Sequence, residues 1–233
     1  MNQSMLKLKG LGVSTGVTTG PVLVFNVLKE NELLEVPKED LNELERFEKT
    51  LQRTREDIEA AYKMLVKKGV SEGEILGAHL QILDDEEFSG SIRTLISDKN
   101  MKVKDAVEET VKKISAALRE TKSEYIRSRI MDIDDLGEQL IRNMTSKKGA
   151  AISSVKPSIF VAKDFSATDV ATMDKGKILG IVTEEGSPIS HVSILARALK
   201  IPAVVKCQNI VDQVDSRDTI FIDGSTGEVV INP

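Results

Sequence analysis

The sequence predicts an α/β domain into which an all-helical segment is inserted. Short β-branched runs separated by Gly, Asp and Pro occur near both ends of the 233-residue chain, and such runs are typical of sheet strands. Between them lies a long segment of helical periodicity, which begins with a glycine-free run at 37–68. We therefore assign residues 1–30 and 148–233 to the α/β domain and residues 31–147 to a helical subdomain.

The opening segment and the final third of the chain have the same strand-like composition. "LKLKGLGVSTGVTTGPVLVF" predicts one or two strands joined by Gly turns. After residue 148, the runs "SIFVAKD", "KILGIV", "PAVV", "TIFID" and "EVVIN" predict further strands, with helices at 167–173 and 190–200 between them. Alternation of strands and helices indicates an α/β unit, and we expect the opening strands to join its sheet.

Five helices are predicted in the inserted segment. Their approximate positions are 37–68, a stretch beginning at an N-cap Ser71, 86–97, 106–118 and 125–144. Pro37 fits the first turn of the first helix, with Glu39 and Asp40 near the positive end of its dipole, and Gly69 ends it. Short links between the helices predict antiparallel neighbours in a bundle.

Composition excludes several classes of protein. A net charge of -5 argues against a general nucleic-acid binder and against a role on anionic membrane. The single cysteine, Cys207, excludes an internal disulfide, fits a reducing compartment and is predicted to be a core residue at a strand end. Cys and His are too few for a zinc cluster, and no run reaches signal-peptide or membrane-span character. We expect a soluble, cytoplasmic protein without a metal site.

The stretch "EEGSPISHVSILARALKIPAVV" contains His191, one of two histidines in the chain. Apolar residues spaced i, i+3, i+4 and i+7 after it predict an amphipathic helix, with Ser190 as N-cap and His191 as first residue. A helix N-terminus favours an anion and disfavours an imidazolium. A neutral imidazole is a nucleophile, so this position suits a transient phosphoryl carrier.

Neighbouring side chains fit the same chemistry. Ser187, Ser190 and Ser193 offer hydroxyl donors, and Arg197 lies two turns into the helix as a charged phosphate partner. Each residue also has an ordinary structural role. A lone histidine at a helix start is more often structural than catalytic, Ser190 is by default a cap, and Arg197 is by default a solvated charge.

"GSPISHVSILARALKIPAVV" resembles the phosphohistidine signature of enzymes that use phosphoenolpyruvate, whose common form is G-G-x-T-S-H-x-x-I-x-A-R-x-x-x-x-P-A. The matching residues are Gly186, Ser190, His191, Ile194, Ala196, Arg197, Pro202 and Ala203. Alone, the signature also fits the swivelling domains of pyruvate phosphate dikinase and phosphoenolpyruvate synthase. "ILGAHLQILDDEEF", "EYIRSRIMDIDDLGEQLIRNM" and the opening strand segment are similar to enzyme I of the sugar phosphotransferase system, so this resemblance covers essentially the whole chain.

The resemblance implies an α/β phosphohistidine (swivelling) domain with an inserted all-helical HPr-binding bundle. His191 would take a phosphoryl group from phosphoenolpyruvate on a C-terminal barrel, which this chain lacks, and pass it to the carrier HPr in sugar uptake. Gly186, Ser187 and Ser193 would form the phosphate loop, with Ser190 and Arg197 as catalytic neighbours. The chain would need no cofactor for the phosphohistidine–HPr half-reaction, since Mg²⁺ is expected only with the barrel.

The resemblance also implies a partner surface on the helical insertion. Its residues are His79, Leu76, Glu86, Glu87 and Arg129. An acidic stretch supports it, because no Lys or Arg occurs between Lys68 and Arg93 whereas six acidic residues do, namely Glu72, Glu74, Asp84, Asp85, Glu86 and Glu87. Such a surface suits a basic carrier. From residue types alone, these acids are a helix cap and a solvated turn, His79 a packing or surface residue, and Arg129 an ordinary helix charge.

Several positions depart from the family pattern. Ser187, Pro188 and Ile189 stand where the family has Gly, Arg and Thr, and Val170 replaces a threonine close to the active histidine. Two positions of the fifth helix that are usually basic hold Asp134 and Gln139. These differences keep two alternatives open, namely a non-catalytic carrier-binding regulatory paralogue and the swivelling domain of a dikinase- or synthase-type enzyme.

Overall fold

The computed structural model describes residues 5–25, 41–144 and 156–233. It divides the chain into two compact units. One unit comprises Met1–Lys29 with Gly149–Pro233, and the other comprises Glu30–Lys148. The domain boundaries predicted at 30/31 and 147/148 lie outside the described residues, so their exact positions remain a prediction.

The helical unit contains five α-helices within residues 41–144. In chain order they are α1 (Glu43–Lys67), α2 (Glu74–Asp84), α3 (Ser91–Lys99), α4 (Val103–Arg119) and α5 (Glu124–Asn143). A π-helical turn at Glu86–Gly90 occupies the first part of the predicted third helix. The all-helical prediction for this segment is confirmed.

Helix α1 begins with a capping box. The side chain of Asn42 accepts a hydrogen bond from the backbone N–H of Glu45 at 2.9 Å, and the Glu45 carboxylate accepts one from the Asn42 N–H at 3.1 Å. This pairing satisfies two donors that a helix start leaves without helical acceptors. The earlier start predicted at Pro37, with Glu39 and Asp40 in the first turn, lies outside the described residues.

The predicted cap of the second helix is wrong. Residues Ser71–Gly73 form a 3₁₀ turn, α2 begins at Glu74, and Gly73 occupies the N-cap position. The Ser71 hydroxyl instead donates a hydrogen bond to the Glu72 carboxylate at 3.1 Å. A serine before an apolar run is a typical N-cap, but the tight turn inserted here moves the N-cap two residues further, from Ser71 to Gly73.

Apolar side chains from every helix fill the interior of the helical unit. Fully buried examples are Phe47, Ile58, Leu76, Phe88, Ile92, Val107 and Leu136. They recur at helical spacing, so each helix turns one apolar stripe inward. Among the described residues, none of the helices has the length and apolar character that crossing a membrane requires.

The α/β unit contains eight strands and three helices among its described residues. The strands are β1 (Leu6–Lys9), β2 (Leu11–Ser14), β3 (Val17–Val24), β4 (Ser158–Ala162), β5 (Ile178–Thr183), β6 (Ala203–Val205), β7 (Thr219–Asp223) and β8 (Glu228–Ile231). The helices are α6 (Ala167–Thr172), α7 (His191–Leu199) and α8 (Ile210–Gln213). The α/β prediction is confirmed.

All eight strands belong to one sheet, in the order β1-β8-β7-β3-β4-β5-β6-β2. The pairs β3–β4, β4–β5 and β5–β6 are parallel and the others antiparallel. The opening segment joins this sheet as expected, for example through the pairing of Val22 with Ile159, but it supplies three strands rather than one or two. Since the helical unit lies between β3 and β4 in the chain, it is an insertion into the α/β unit.

Cys207 lies in the core of the α/β unit. It is 0% exposed and belongs to the buried apolar cluster that includes Val161, Val182 and Val204. Burial raises the pKa of the Cys207 thiol to about 11, because the thiolate would lose its hydration. A buried, protonated thiol is a poor nucleophile, so the prediction of a core role at a strand end is confirmed.

Candidate functional site

His191 is the first residue of α7, as predicted. Ser190 occupies the N-cap position with extended backbone angles, φ −65° and ψ 155°. A loop of residues 184–190 connects β5 to this helix. The carboxyl ends of parallel strands and the N-termini of the following helices meet at one edge of an α/β sheet, which is where such folds bind ligands. His191 therefore lies at the expected edge, and its side chain is 7% exposed.

The inner face of α7 confirms the amphipathic prediction. Val192, Leu195, Ala196 and Leu199 are all buried. Their burial fixes the rotation of the helix, so the N-terminal turn that carries His191 has a defined orientation on the sheet. The first turn of an α-helix supplies N–H groups that no helical carbonyl accepts, together with a partial positive charge. These groups favour an anion beside His191.

The serine hydroxyls bind the loop itself. Ser190 Oγ donates to the carbonyl of Ser187 at 2.8 Å, and Ser193 Oγ donates to the same carbonyl at 2.6 Å. Ser190 makes no side-chain cap bond to the helix, and Ser187 Oγ accepts from the N–H of Ile189 at 3.3 Å. The Ser190 and Ser193 hydroxyls also lie 3.1 Å from each other, and either can donate to the other. Their role as donors to a phosphate stays a prediction.

Arg197 also contacts the loop. Its Nη1 atom donates to the carbonyl of Pro188 at 2.9 Å and to the carbonyl of Val13, in β2, at 3.3 Å. Arg197 is exposed, as the default interpretation of a solvated helix charge expects, and it makes these two backbone contacts in addition. The contacts run to neutral carbonyls on two different segments, and sequence spacing alone could not place Val13 beside a helix that starts 178 residues later.

Gly186 shapes the beginning of the loop. Its φ angle is +106°, and a Cβ atom at this position would lie 3.2 Å from Val205 Cβ. Residues with a side chain larger than hydrogen rarely adopt this backbone conformation. The match of Gly186 to the signature therefore has a local physical reason, since the chain turns here close against β6.

The departures from the family pattern have different environments. Pro188 is exposed, and the side chain of Ile189 is 69% exposed, although it is large and apolar. Val170 is fully buried in α6, which packs against α7. Valine fills the space of a threonine but supplies no hydroxyl, so this position makes no side-chain hydrogen bond.

The helical unit carries a groove of about 340 Å³. It is lined by Ala78, Gln81, Ile82, Asp85, Glu87, Phe88, Ile114, Leu118, Arg129 and Ile133. The groove combines apolar side chains from α2, α4 and α5 with two acids and one arginine. Of the predicted partner residues, Glu87 and Arg129 line it directly.

Two predicted partner residues are not on the surface. Leu76 is 0% exposed and His79 is 1% exposed, so neither offers area to a docking protein in this structure. His79 Nε2 lies 3.6 Å from a carboxylate oxygen of Asp132, and Arg129 Nη1 donates to the other oxygen at 3.1 Å. His79 is therefore buried in this structure, and its assignment to the partner surface stays a prediction. Helical periodicity could not show this burial, because a partner surface and a core stripe have the same spacing.

The acidic stretch is partly neutralised by distant arginines. Arg55, on α1, pairs with Asp84, and this hydrogen bond holds the pKa of Asp84 below its usual value. Arg93, on α3, lies 3.8 Å from the Glu86 carboxylate. Asp85 accepts from the N–H of Glu87 at 2.8 Å, so its interpretation as a cap is confirmed. The role of Arg55 could not be predicted from the sequence, because Arg55 lies 29 residues from its partner and carries no local signal.

Two departures from the family pattern lie in α5. Asp134 accepts a hydrogen bond from Ser115 Oγ at 2.9 Å, which joins α4 to α5. Gln139 is 5% exposed. Gln139 therefore offers little surface to a partner in this structure, whereas Asp134 is half-buried.

Family models match both parts of the chain. The model described as "PEP-utilising enzyme, N-terminal" matches residues 9–129, and the model described as "PEP-utilising enzyme, mobile domain" matches residues 155–227. The first covers more than half of the chain, and the second contains His191 and its loop.

Curated relatives share the name phosphoenolpyruvate-protein phosphotransferase. The chain is 31% identical to that of Buchnera aphidicola subsp. Schizaphis graminum and 28% identical to that of Bacillus subtilis. The alignments cover 97% and 98% of this chain but 40% of each relative. The chain thus spans about two fifths of the length of these relatives.

Two solved structures have the same fold. A solution structure of an Enzyme I protein (nEIt) superposes with a TM-score of 0.74 at 30% identity, covering 97% of this chain and 93% of that one. The N-terminal domain of "Enzyme 1 - Nitrogen" gives a TM-score of 0.64 at 22% identity, over 97% and 94% of the two chains. At that identity the second match supports the fold alone.

Proposed function

The chain belongs to the family of PEP-utilising enzymes, and we propose that it transfers phosphoryl groups through His191. The single observation that carries this proposal is the place of His191. It opens α7 at the carboxyl edge of the parallel strands, within the segment that matches the mobile-domain model. The partner we propose is a small histidine phosphocarrier of the HPr type, because the chain is similar to Enzyme I over nearly its whole length.

The proposed chemistry is a reversible in-line transfer between imidazole nitrogens. A nitrogen of His191 attacks the phosphorus of the carrier's phosphohistidine, so one P–N bond forms as the other breaks. The leaving imidazole takes back its electron pair. Charge develops on the three equatorial oxygens of a loose transition state, and the N–H groups of the first turn of α7 are placed to stabilise it. The protein contributes position and donors, and no covalent step other than the transfer itself.

We propose the groove of the helical unit as the docking surface of the carrier. Apolar side chains such as Ile82 and Leu118 supply a surface that can be buried, and Asp85 and Glu87 at the groove provide negative charge for a basic face. Arg55 neutralises Asp84 from the side, whereas Arg93 donates to Glu48 at 2.7 Å and leaves Glu86 exposed. Asp85, Glu86 and Glu87 are therefore the acids that we place in contact with the carrier.

In the longer relatives, we propose that phosphoenolpyruvate supplies the phosphoryl group. The remaining part of such a protein would hold phosphoenolpyruvate and Mg²⁺, whereas the residues described for this chain would perform only the exchange between His191 and the carrier. Accordingly, this chain alone accepts phosphate from phosphorylated HPr and does not accept it from phosphoenolpyruvate.

One experiment tests the proposal. The chain is mixed with phosphorylated HPr and analysed by intact mass, and we expect a gain of one phosphoryl group that is acid-labile and base-stable. His191→Ala abolishes the gain, whereas Arg217→Lys, a change in an exposed turn of the same unit, retains it. Labelling that persists in His191→Ala, or that arises from phosphoenolpyruvate alone, would refute the assignment.

A regulatory paralogue that binds a carrier without turnover is the second candidate. The observation that favours it is the altered loop, with Pro188 and Ile189 exposed beside the histidine and no hydroxyl at Val170. The same mixture distinguishes the two candidates. Carrier binding by titration calorimetry without any mass gain on the wild-type chain supports the paralogue.

A further inference from the structure

We propose that Arg197 is a positioning residue, which holds the loop before His191 in one conformation rather than serving as the counter-charge of the phosphoryl group. This inference rests on the proposed function of His191. It reassigns the arginine of the signature from the phosphate to the backbone of the loop.

Arg197 donates hydrogen bonds to two backbone carbonyls, one in the loop and one in the sheet. One nitrogen, Nη1, donates both to the Pro188 carbonyl and to the Val13 carbonyl. A proline has no N–H, so its carbonyl is the only backbone group through which residue 188 can be held. The Val13 carbonyl belongs to β2, an edge strand of the sheet paired with β6. Arg197 thus ties the tip of the loop to the sheet.

Two serines on the same side of α7 also bond to the loop. Ser190, Ser193 and Arg197 lie at i, i+3 and i+7, which places them on one face of the helix. The two serines donate to the Ser187 carbonyl, and the arginine donates to the next carbonyl along the chain. One face of α7 therefore holds two successive loop carbonyls, with no charged acceptor among them.

The consequence for the reaction follows from the position of His191. It directly follows Ser190, whose hydroxyl is bonded to the loop, so a shift of the loop is expected to move the backbone from which the imidazole projects. Transfer in line depends on the reacting atoms lying within a few tenths of an ångström of their places, and a displacement of about 1 Å costs about 100-fold in rate. A residue that only fixes the loop can therefore control the rate without touching phosphate.

Arginine is required for this role because of its shape. Its planar guanidinium directs two N–H groups of one nitrogen at fixed angles, whereas a lysine ammonium is a compact point charge on a flexible stem. Arg197→Lys keeps the positive charge but loses this geometry. Arg197→Gln loses both. The two substitutions consequently separate a positioning role from a counter-charge.

The first measurement is the single-turnover rate of transfer from phosphorylated HPr as a function of HPr concentration. We expect Arg197→Lys and Arg197→Gln to lower the maximal rate by a similar factor, about 10- to 100-fold. The half-saturating concentration changes less than about twofold, since docking is proposed to involve the helical unit. Arg217→Lys is the matched control, because this exposed arginine pairs with Asp215 in a turn of the same unit, and it keeps the wild-type rate.

Two outcomes overturn the inference. If Arg197→Lys stays within about threefold of the wild-type rate while Arg197→Gln is slow, the charge matters and the positioning role is wrong. If the half-saturating concentration rises while the maximal rate is unchanged, Arg197 acts in docking instead.

The second measurement does not depend on phosphoryl transfer. The N–H groups of Ser187 and Ile189 are bonded within the loop, so their hydrogen exchange reports its conformation. We expect exchange at both positions to accelerate at least tenfold in Arg197→Lys but not in Arg217→Lys. If hydrogen exchange in Arg197→Lys is unchanged, the positioning role is wrong even if phosphoryl transfer occurs. If the wild-type chain shows no transfer, the proposed function is refuted, and the exchange result alone decides whether Arg197 positions the loop.

Discussion

Replacing Gly186 by alanine is expected to destabilise the α/β unit by about 2 kcal/mol. The φ angle of +106° lies in a region that costs a residue with a side chain about 1–3 kcal/mol. The added Cβ would also lie 3.2 Å from Val205 Cβ and 3.3 Å from Val205 Cγ1. Val205 is fully buried in β6, so it has little freedom to yield. A change of 2 kcal/mol corresponds to an increase of about 30-fold in the population of the opened unit.

The buried thiol of Cys207 is the reporter for this measurement. It is 0% exposed and belongs to the same unit, so a thiol reagent reacts with it only when the unit opens. Under conditions where closing is faster than labelling, the labelling rate is proportional to the opened population. We expect the rate for Gly186→Ala to exceed that of the wild-type chain about 30-fold at pH 8.

Gly176→Ala provides the matched control. Gly176 is exposed in a turn of the same unit, its φ angle is not positive, and its added Cβ would lie 3.4 Å from Asp174 Oδ1. The same change of one methyl group should therefore alter the labelling rate by less than about threefold. If Gly186→Ala behaved like this control, the loop would have relieved the strain by moving, and the argument that the loop is held rigidly against β6 would be refuted.

Two further predictions concern charge. Burial raises the pKa of the Cys207 thiol from 9.0 to about 11. Between pH 9 and pH 11 the folded chain therefore keeps a proton that the unfolded chain loses. The free energy of unfolding falls over this range by up to about 1.4 kcal/mol per pH unit. Urea unfolding should show that Cys207→Ala removes this slope, and equal slopes in both chains would contradict it. Glu87→Lys is expected to slow association with HPr several-fold at low ionic strength, with the difference vanishing at high salt. Glu109→Lys, a change on the face of α4 opposite the groove, should have no such effect, and equal slowing by both would exclude the groove as the specific surface.

The parts of the fold that local patterns determine could be predicted. Helix α7 follows from apolar spacing and from the residues that bound it, because Gly186 allows the turn before it and Pro202 prevents its continuation. The helical insertion follows in the same way from its long periodic runs. Both depend on interactions between residues a few positions apart, which a single sequence displays.

The parts that depend on distant pairs could not be predicted. Arg55 neutralises Asp84 across two helices, and Val13 meets Arg197 across most of the chain. The split of the opening segment into three strands likewise depends on the partners β6, β7, β8 and β4. Burial of Leu76 and His79 was missed for a related reason, since a partner surface and a core stripe have the same spacing on a helix.

The altered loop can keep its shape because, apart from the Ser187 Oγ that accepts from the Ile189 N–H, its side chains contribute little to holding it. The contacts that hold it end on the carbonyls of residues 187 and 188, and every amino acid supplies a carbonyl. Replacing the family's Gly-Arg-Thr by Ser187, Pro188 and Ile189 removes an N–H at 188 and changes three side chains, yet it leaves both acceptors in place. Conversely, the donors on α7 are side chains, and two of them, Ser190 and Arg197, match the signature. The conformation of the loop is therefore expected to tolerate changes at 187–189 far better than changes at 190, 193 and 197. Alanine substitutions at these positions, measured by the hydrogen-exchange assay, test this order. If substitutions at 187–189 accelerated exchange more than those at 190, 193 and 197, the reasoning would be wrong.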